Sequence, residues 1–80
     1  MPDAAVRLID LPVHTVARLH ETRLDADARQ GLEALGLTAA SSLRVCQSGE
    51  PCIVQVRATR IGLSGAVARE IYVIPDGTAV

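Results

Sequence analysis

The sequence predicts a mostly β protein with one inserted α-helix, built as a small barrel of about five short strands. Two observations carry the secondary structure. Several short segments alternate apolar and polar residues with a period of two, and one segment alone repeats its apolar residues at helical spacing between a start and a stop signal. A third sets the architecture. The chain has 80 residues, 49% of them hydrophobic, with one Tyr and no Phe or Trp, so a single aliphatic core must use nearly every apolar side chain. Short sequential strands in so small a chain favour a closed or nearly closed barrel, because closure removes exposed edges.

The elements follow in order. Leu8 to Leu11 form a short apolar lead-in, closed by Pro12. From Thr15 to Leu19 the residues alternate, with Ala17 and Leu19 on one face and Val16 and Arg18 on the other, which reads as the first strand. Asp25 to Leu35 reads as the helix. Asp25 is its N-cap, since a carboxylate there accepts from the free N–H groups of the first turn, and Asp27 suits the positive end of the dipole. Ala28, Leu32 and Leu35 lie on one face and form the stripe expected to be buried. Gly36 supplies the left-handed residue that ends the helix.

Strand signals then dominate. Leu43 to Gln47, Cys52 to Arg57 and Thr59 to Leu63 alternate, and Ile71 to Ile74 is a short β-branched and aromatic run. Between the last two, Ser64 caps a single helical turn through Ala66, Val67 and Ala68. Pro75 to Val80 opens with turn residues. One domain is therefore expected over residues 1–75, with residues 76–80 as a frayed C-terminal tail.

Charge and composition exclude several function classes. Eight basic residues, all Arg, face nine acidic ones with the signs interspersed, for a net charge of −1. A duplex-binding module shows a basic patch and a high pI, and a single-strand platform needs rings where only Tyr72 is available. Nucleic acid is not an expected partner. Met1-Pro2-Asp3 carries no basic region followed by an apolar run, and no apolar run approaches the roughly 20 residues of a membrane span. A cytoplasmic protein without membrane insertion is expected, its two cysteines reduced.

Cys46 and Cys52 invite a redox or metal reading, which hairpin parity disfavours. Leu43 and Val45 form the apolar face of one strand, and Cys52, Val54 and Val56 that of the next. Opposed residues share a face, so Val45 must pair with Cys52 across a two-residue Ser48-Gly49 turn, or with Val54 across a longer loop. Either register places Cys46 opposite in face to Cys52, and a one-residue slip would turn the core outward. Cys52 is expected in the core and Cys46 on the other face.

Other candidate chemistry is thin. His14 and His20 could hold a metal with Asp10, Glu21 or Cys46, but the spacing matches no zinc signature, and surface positions are the simpler reading. The glycines form no phosphate loop, the serines sit in no nucleophile pattern, and Asp25, Asp27 and Glu33 fit capping and solvation. A catalytic cleft is also hard to build into so small a domain. The expected protein is not an enzyme, uses no cofactor, and acts by binding another protein. Arg44 and Arg57 fall on faces opposite the apolar sets of their strands, and Arg60 alternates with Ile61. Together they are the candidate partner-binding residues, since Arg is enriched at interfaces; an ordinary solvated face is the competing reading.

The order of motifs adds a family. Leu8-Ile9-Asp10-Leu11-Pro12 precedes a strand, then Gly31-Leu32-Glu33-Ala34-Leu35-Gly36-Leu37, Leu43-Arg44-Val45, Glu50 to Val56, Thr59-Arg60-Ile61-Gly62-Leu63 and Ala66 to Val73. From about Leu8 to Ile74 this resembles the FeoA family, small cytoplasmic accessory proteins of bacterial ferrous iron uptake. The resemblance implies an SH3-like β-barrel with a helix between the first two strands. It also implies a regulatory adaptor that binds FeoB, the ferrous iron transporter. The alternatives are a free-standing SH3-like domain contacting a metal-dependent transcription regulator, and a weak metal-sensing protein. The chain departs from the family pattern at His14, where Gly is usual, at Ala39-Ala40, where Pro-Gly is usual, at Gly31, where a basic residue is common, and in a shorter second hairpin.

Overall fold

The computed structural model describes residues 5–39 and 41–78, the last two by backbone alone. Strand β1 (Val6–Arg7) leads into a 3-10 turn (Leu8–Asp10). Then come β2 (Thr15–Thr22), α1 (Ala26–Ala34), β3 (Ser42–Gln47), β4 (Cys52–Val56), β5 (Thr59–Leu63), α2 (Gly65–Ala68) and β6 (Ile71–Thr78). The strands form one sheet in the order β1-β6-β2-β3-β4-β5, with every neighbouring pair antiparallel.

The expected architecture is right in kind and wrong in closure. Among the described residues the sheet has six strands, the extra one coming from the lead-in, and it does not close into a barrel. Its ends, β1 and β5, are not paired with each other. β1 has only two residues before the chain coils into the 3-10 turn, too few to bridge to β5. The gap is filled by helical turns: α2 lies against the 3-10 turn, and Leu8 and Ala68 there are both 0% exposed.

The inner face of the sheet holds the core. Ala17, Leu19, Leu43, Val45, Cys52, Val54, Ile61, Leu63, Ile71 and Val73 are buried, and Leu32 of α1 and Leu37, just beyond its end, pack in the same core. Asp25 caps α1 as predicted, its Oδ1 accepting from the Ala28 N–H at 2.8 Å. Ser64 likewise caps α2.

Two features differ from expectation and one open register is fixed, each for a local reason. Leu35, placed in the buried stripe, is 50% exposed. The helix ends in a Schellman motif, with Leu37 N–H bonded to Leu32 O and Gly36 N–H to Glu33 O, both at 3.0 Å. Gly36 takes φ +103°, which turns the chain so that Leu37 replaces Leu35 in the core. Residues 76–78, expected in the tail, continue β6 beside the start of β2, with Ala17 opposite Pro75 and Thr15 opposite Thr78. Ala79 and Val80 lie outside the described residues. Finally, Val45 pairs with Val54, the longer-loop alternative, and a bulge between Val45 and Gln47 absorbs Cys46.

Candidate partner-binding surface

The three candidate arginines are brought to one side of the molecule. Arg44 on β3 stands opposite Gln55 on β4, and Gln55 opposite Arg60 on β5. Opposed residues share a face. Their sequence neighbours Val45, Val54 and Ile61 occupy the inner face at 0%, 0% and 3% exposure, so the row Arg44–Gln55–Arg60 points outward. Arg57 lies at the end of the same sheet. It opens the two-residue turn Arg57-Ala58 between β4 and β5, with Val56 paired to Thr59. Its φ of +55° is in the left-handed region, where glycine or asparagine is the ordinary occupant.

Gln55 ties the row to the turn. Its Nε2 donates to the Arg57 carbonyl at 2.9 Å, and the Cys46 Sγ lies 3.9 Å from its Oε1. Grooves flank Arg57 on both sides. A groove of about 250 Å3 is lined by Val16, Ser42, Leu43, Arg44, Gln55 and Arg57. Beyond Ser42 and Arg57 a wider trough of about 800 Å3 runs past Leu35, Val56 and Thr59. A third depression, of about 230 Å3, separates the end of β2 from α1 over Leu19, Leu32 and Leu37.

Three other arginines are paired within the chain. Arg7 is held by Asp10 at 3.0 Å, Arg18 by Asp76 at 3.2 Å and Arg23 by Glu21 at 3.7 Å, with Tyr72 under Arg23 at 4.7 Å. Asp25 is committed to capping α1, and Glu50 accepts from the Gly65 N–H at the start of α2. Among the described residues, none of Arg44, Arg57 and Arg60 is joined to a carboxylate by a salt bridge.

The candidate metal ligands are not brought together. His14 sits in the turn before β2, its N–H donating to the Val45 carbonyl at 2.8 Å, and Asp10 is taken by Arg7. His20 and Glu21 approach to 4.0 Å, while Cys46 lies at the Gln55 side. Among the described residues no group of three or more His, Cys, Asp or Glu side chains could hold a metal ion. Both cysteines are free, with Cys52 in the core at 1% exposure, as parity required. Burial pushes the Cys52 thiol pKa above its ordinary value.

Sequence reasoning missed two members of this surface. Gln55 was readable as an outward residue alternating with Val54 and Val56. The exposure of Leu35 was encoded by Gly36, since a Schellman ending passes the buried place to the residue after the glycine.

Among the described residues no helix is long and apolar enough to cross a membrane. No curated protein sequence matches the chain. The FeoA domain matches residues 6–75. The zinc-complexed FeoA of Stenotrophomonas maltophilia, described as a procaryotic SH3 domain protein, is 32% identical with a TM-score of 0.72, over 86% of this chain and 89% of its own. The FeoA protein from Chlorobium tepidum superposes with a TM-score of 0.85 at 21% identity, over 90% of this chain and 71% of its own. T. acidophilum IdeR superposes with a TM-score of 0.81 at 25% identity; 95% of this chain is covered, and it spans 36% of that protein. With the match to the family spanning most of the sequence, and a zinc-complexed FeoA described as an SH3 domain protein among the similar structures, the chain belongs to the FeoA family.

Proposed function

We propose that this chain is a cytoplasmic accessory protein of bacterial ferrous iron uptake, a regulatory adaptor that binds the transporter FeoB through the surface bearing Arg44, Arg57 and Arg60. The observation that carries the reading is that surface: three arginines on one side of a FeoA-family domain, none joined to a carboxylate among the described residues. The FeoA family is an accessory transport domain and not a known enzyme family. For the S. maltophilia relative a role as ferrous iron transport activating factor has been suggested. The test is an anaerobic pull-down of the full chain against the cytosolic domain of the transporter, with GTP and GDP compared. Capture that depends on the nucleotide is the expected result; no capture with either nucleotide overturns the reading.

A second reading has one observation of its own. The likeness to T. acidophilum IdeR favours a free-standing SH3-like domain that contacts a metal-dependent transcription regulator. Capture of such a regulator, with none of the transporter domain, would select it. Direct metal sensing has less support, because among the described residues no ligand set is assembled that could hold a zinc like that of the S. maltophilia relative. Anaerobic calorimetry with ferrous iron and no heat of binding at micromolar protein would remove it.

A further inference from the structure

We propose that the arginine side of the sheet is a docking surface for an extended acidic peptide of a partner protein, with an apolar residue of that peptide seated against Leu35. The inference rests on the adaptor reading and names the chemistry of the segment the adaptor would hold.

Charge argues for the acidic character. The protein carries a net charge of −1, yet Arg44, Arg57 and Arg60 collect on one side, and Asp10, Glu21, Asp25, Glu50 and Asp76 are each engaged elsewhere. A guanidinium accepts a carboxylate through two parallel hydrogen bonds, so each arginine offers a directed site as well as a charge. Gln55, fixed between Arg44 and Arg60 and bonded to the Arg57 carbonyl, holds the turn that carries the third arginine.

Shape argues for a peptide. Two grooves meet at Ser42 and Arg57: one of about 250 Å3 beside Arg44, and one of about 800 Å3 beside Leu35 and Val56. Leu35 is half exposed, the more exposed of the two large hydrophobic residues left at the surface among the described residues. An extended segment crossing the Arg57 ridge would meet arginines on one side and an apolar wall on the other. Nucleic acid fits poorly, because this surface holds no aromatic ring for base stacking.

Arg57 gives the surface a signature that is independent of charge. A residue with a Cβ at φ +55° is strained, and such strain persists where a side chain serves a function. Arg57→Gly should therefore relieve the backbone while removing a binding contact.

The test is fluorescence anisotropy of the full chain with a labelled probe peptide of about ten residues, rich in Glu and Asp and carrying one Leu. Binding should weaken from low to moderate salt, and about tenfold in the Arg44→Gln, Arg60→Gln double variant. Leu35→Ser should weaken the Leu peptide several-fold and leave a Ser-for-Leu peptide unchanged. Arg57→Gly should bind more weakly yet melt no lower than the parent, which separates lost contact from lost fold. No binding at about 1 mM protein, or equal binding of the Gln/Asn version of the peptide, overturns the proposal. So does retention on phosphatidylglycerol vesicles that the acidic peptide cannot compete away. The two readings fail separately. Transporter capture insensitive to the arginine variants defeats this inference alone, and peptide binding without transporter capture defeats the FeoB assignment alone.

Discussion

Cys52 shows how one buried side chain couples the fold to pH. It stands opposite Leu63 in the sheet, 1% exposed, and burial raises its thiol pKa because a thiolate there would lose its hydration. The folded state then holds the thiol proton more tightly than the unfolded chain does. This contribution to stability is complete below the unfolded thiol pKa of about 8.5 and is lost as pH rises through the higher folded value. Urea midpoints should fall above about pH 8.5, and Cys52→Ala should flatten that fall while costing about 1 kcal/mol at neutral pH. Equal alkaline slopes in the two proteins would assign the effect to another group. The placement of Cys52 was legible in the sequence because side-chain parity in a strand leaves only two choices of face. The choice between its two registers was not legible. A bulge at Cys46 changes the loop length without changing which residues are apolar.

At the scale of elements, local signals were readable and contacts between distant residues were not. The ends of α1 are encoded within a few residues, by Asp25 at the start and Gly36 at the stop. The start of α2 depends in addition on Glu50, fifteen residues earlier, whose carboxylate accepts from the Gly65 N–H; no spacing pattern announces that pair. Two glycines separate the cases experimentally. Gly31 lies within α1 with nothing within 4 Å of an added Cβ, so Gly31→Ala should raise stability by about 1 kcal/mol. At Gly65 an added Cβ would meet Glu50 Oε2 at 2.6 Å. Gly65→Ala should push that carboxylate off the helix start and cost about 1 kcal/mol. In a Glu50→Ala background the same substitution should cost nothing, a non-additivity that a double-mutant cycle measures. Additive costs would show that the glycine is required for some reason other than Glu50. The same distinction explains the candidate surface. Arg44 and Arg60 were readable as outward residues on their own strands, whereas Arg57 and Leu35 meet at one groove only because a turn and a helix end are brought together by the sheet.

At the scale of the whole molecule, the open sheet decides where the fold is weakest. Five of the six strands and the aliphatic core were legible in the sequence, but the lead-in strand and the closure were not, since closure depends on whether that two-residue strand can reach β5. In place of a closed ladder, the protein plugs the gap with the 3-10 turn and α2, and Leu8 is the largest side chain in that plug to be 0% exposed. A chain of this size has a total stability of roughly 4–12 kcal/mol. Leu8→Ala removes buried methyl groups between two elements with no hydrogen-bonded ladder joining β1 to β5, and cavity formation of this kind costs about 2–5 kcal/mol. The loss is a large share of the total, so Leu8→Ala should lower the melting temperature by about 8–40 °C on the scale of about 4–8 °C per kcal/mol for a domain of this length. Amide exchange in β1 and β5 should accelerate more than in β3 and β4, because the sheet opens from its unjoined ends. Uniform acceleration across all six strands would show instead that the ends are no weaker than the centre, and that the plug serves the whole sheet as a single cooperative unit.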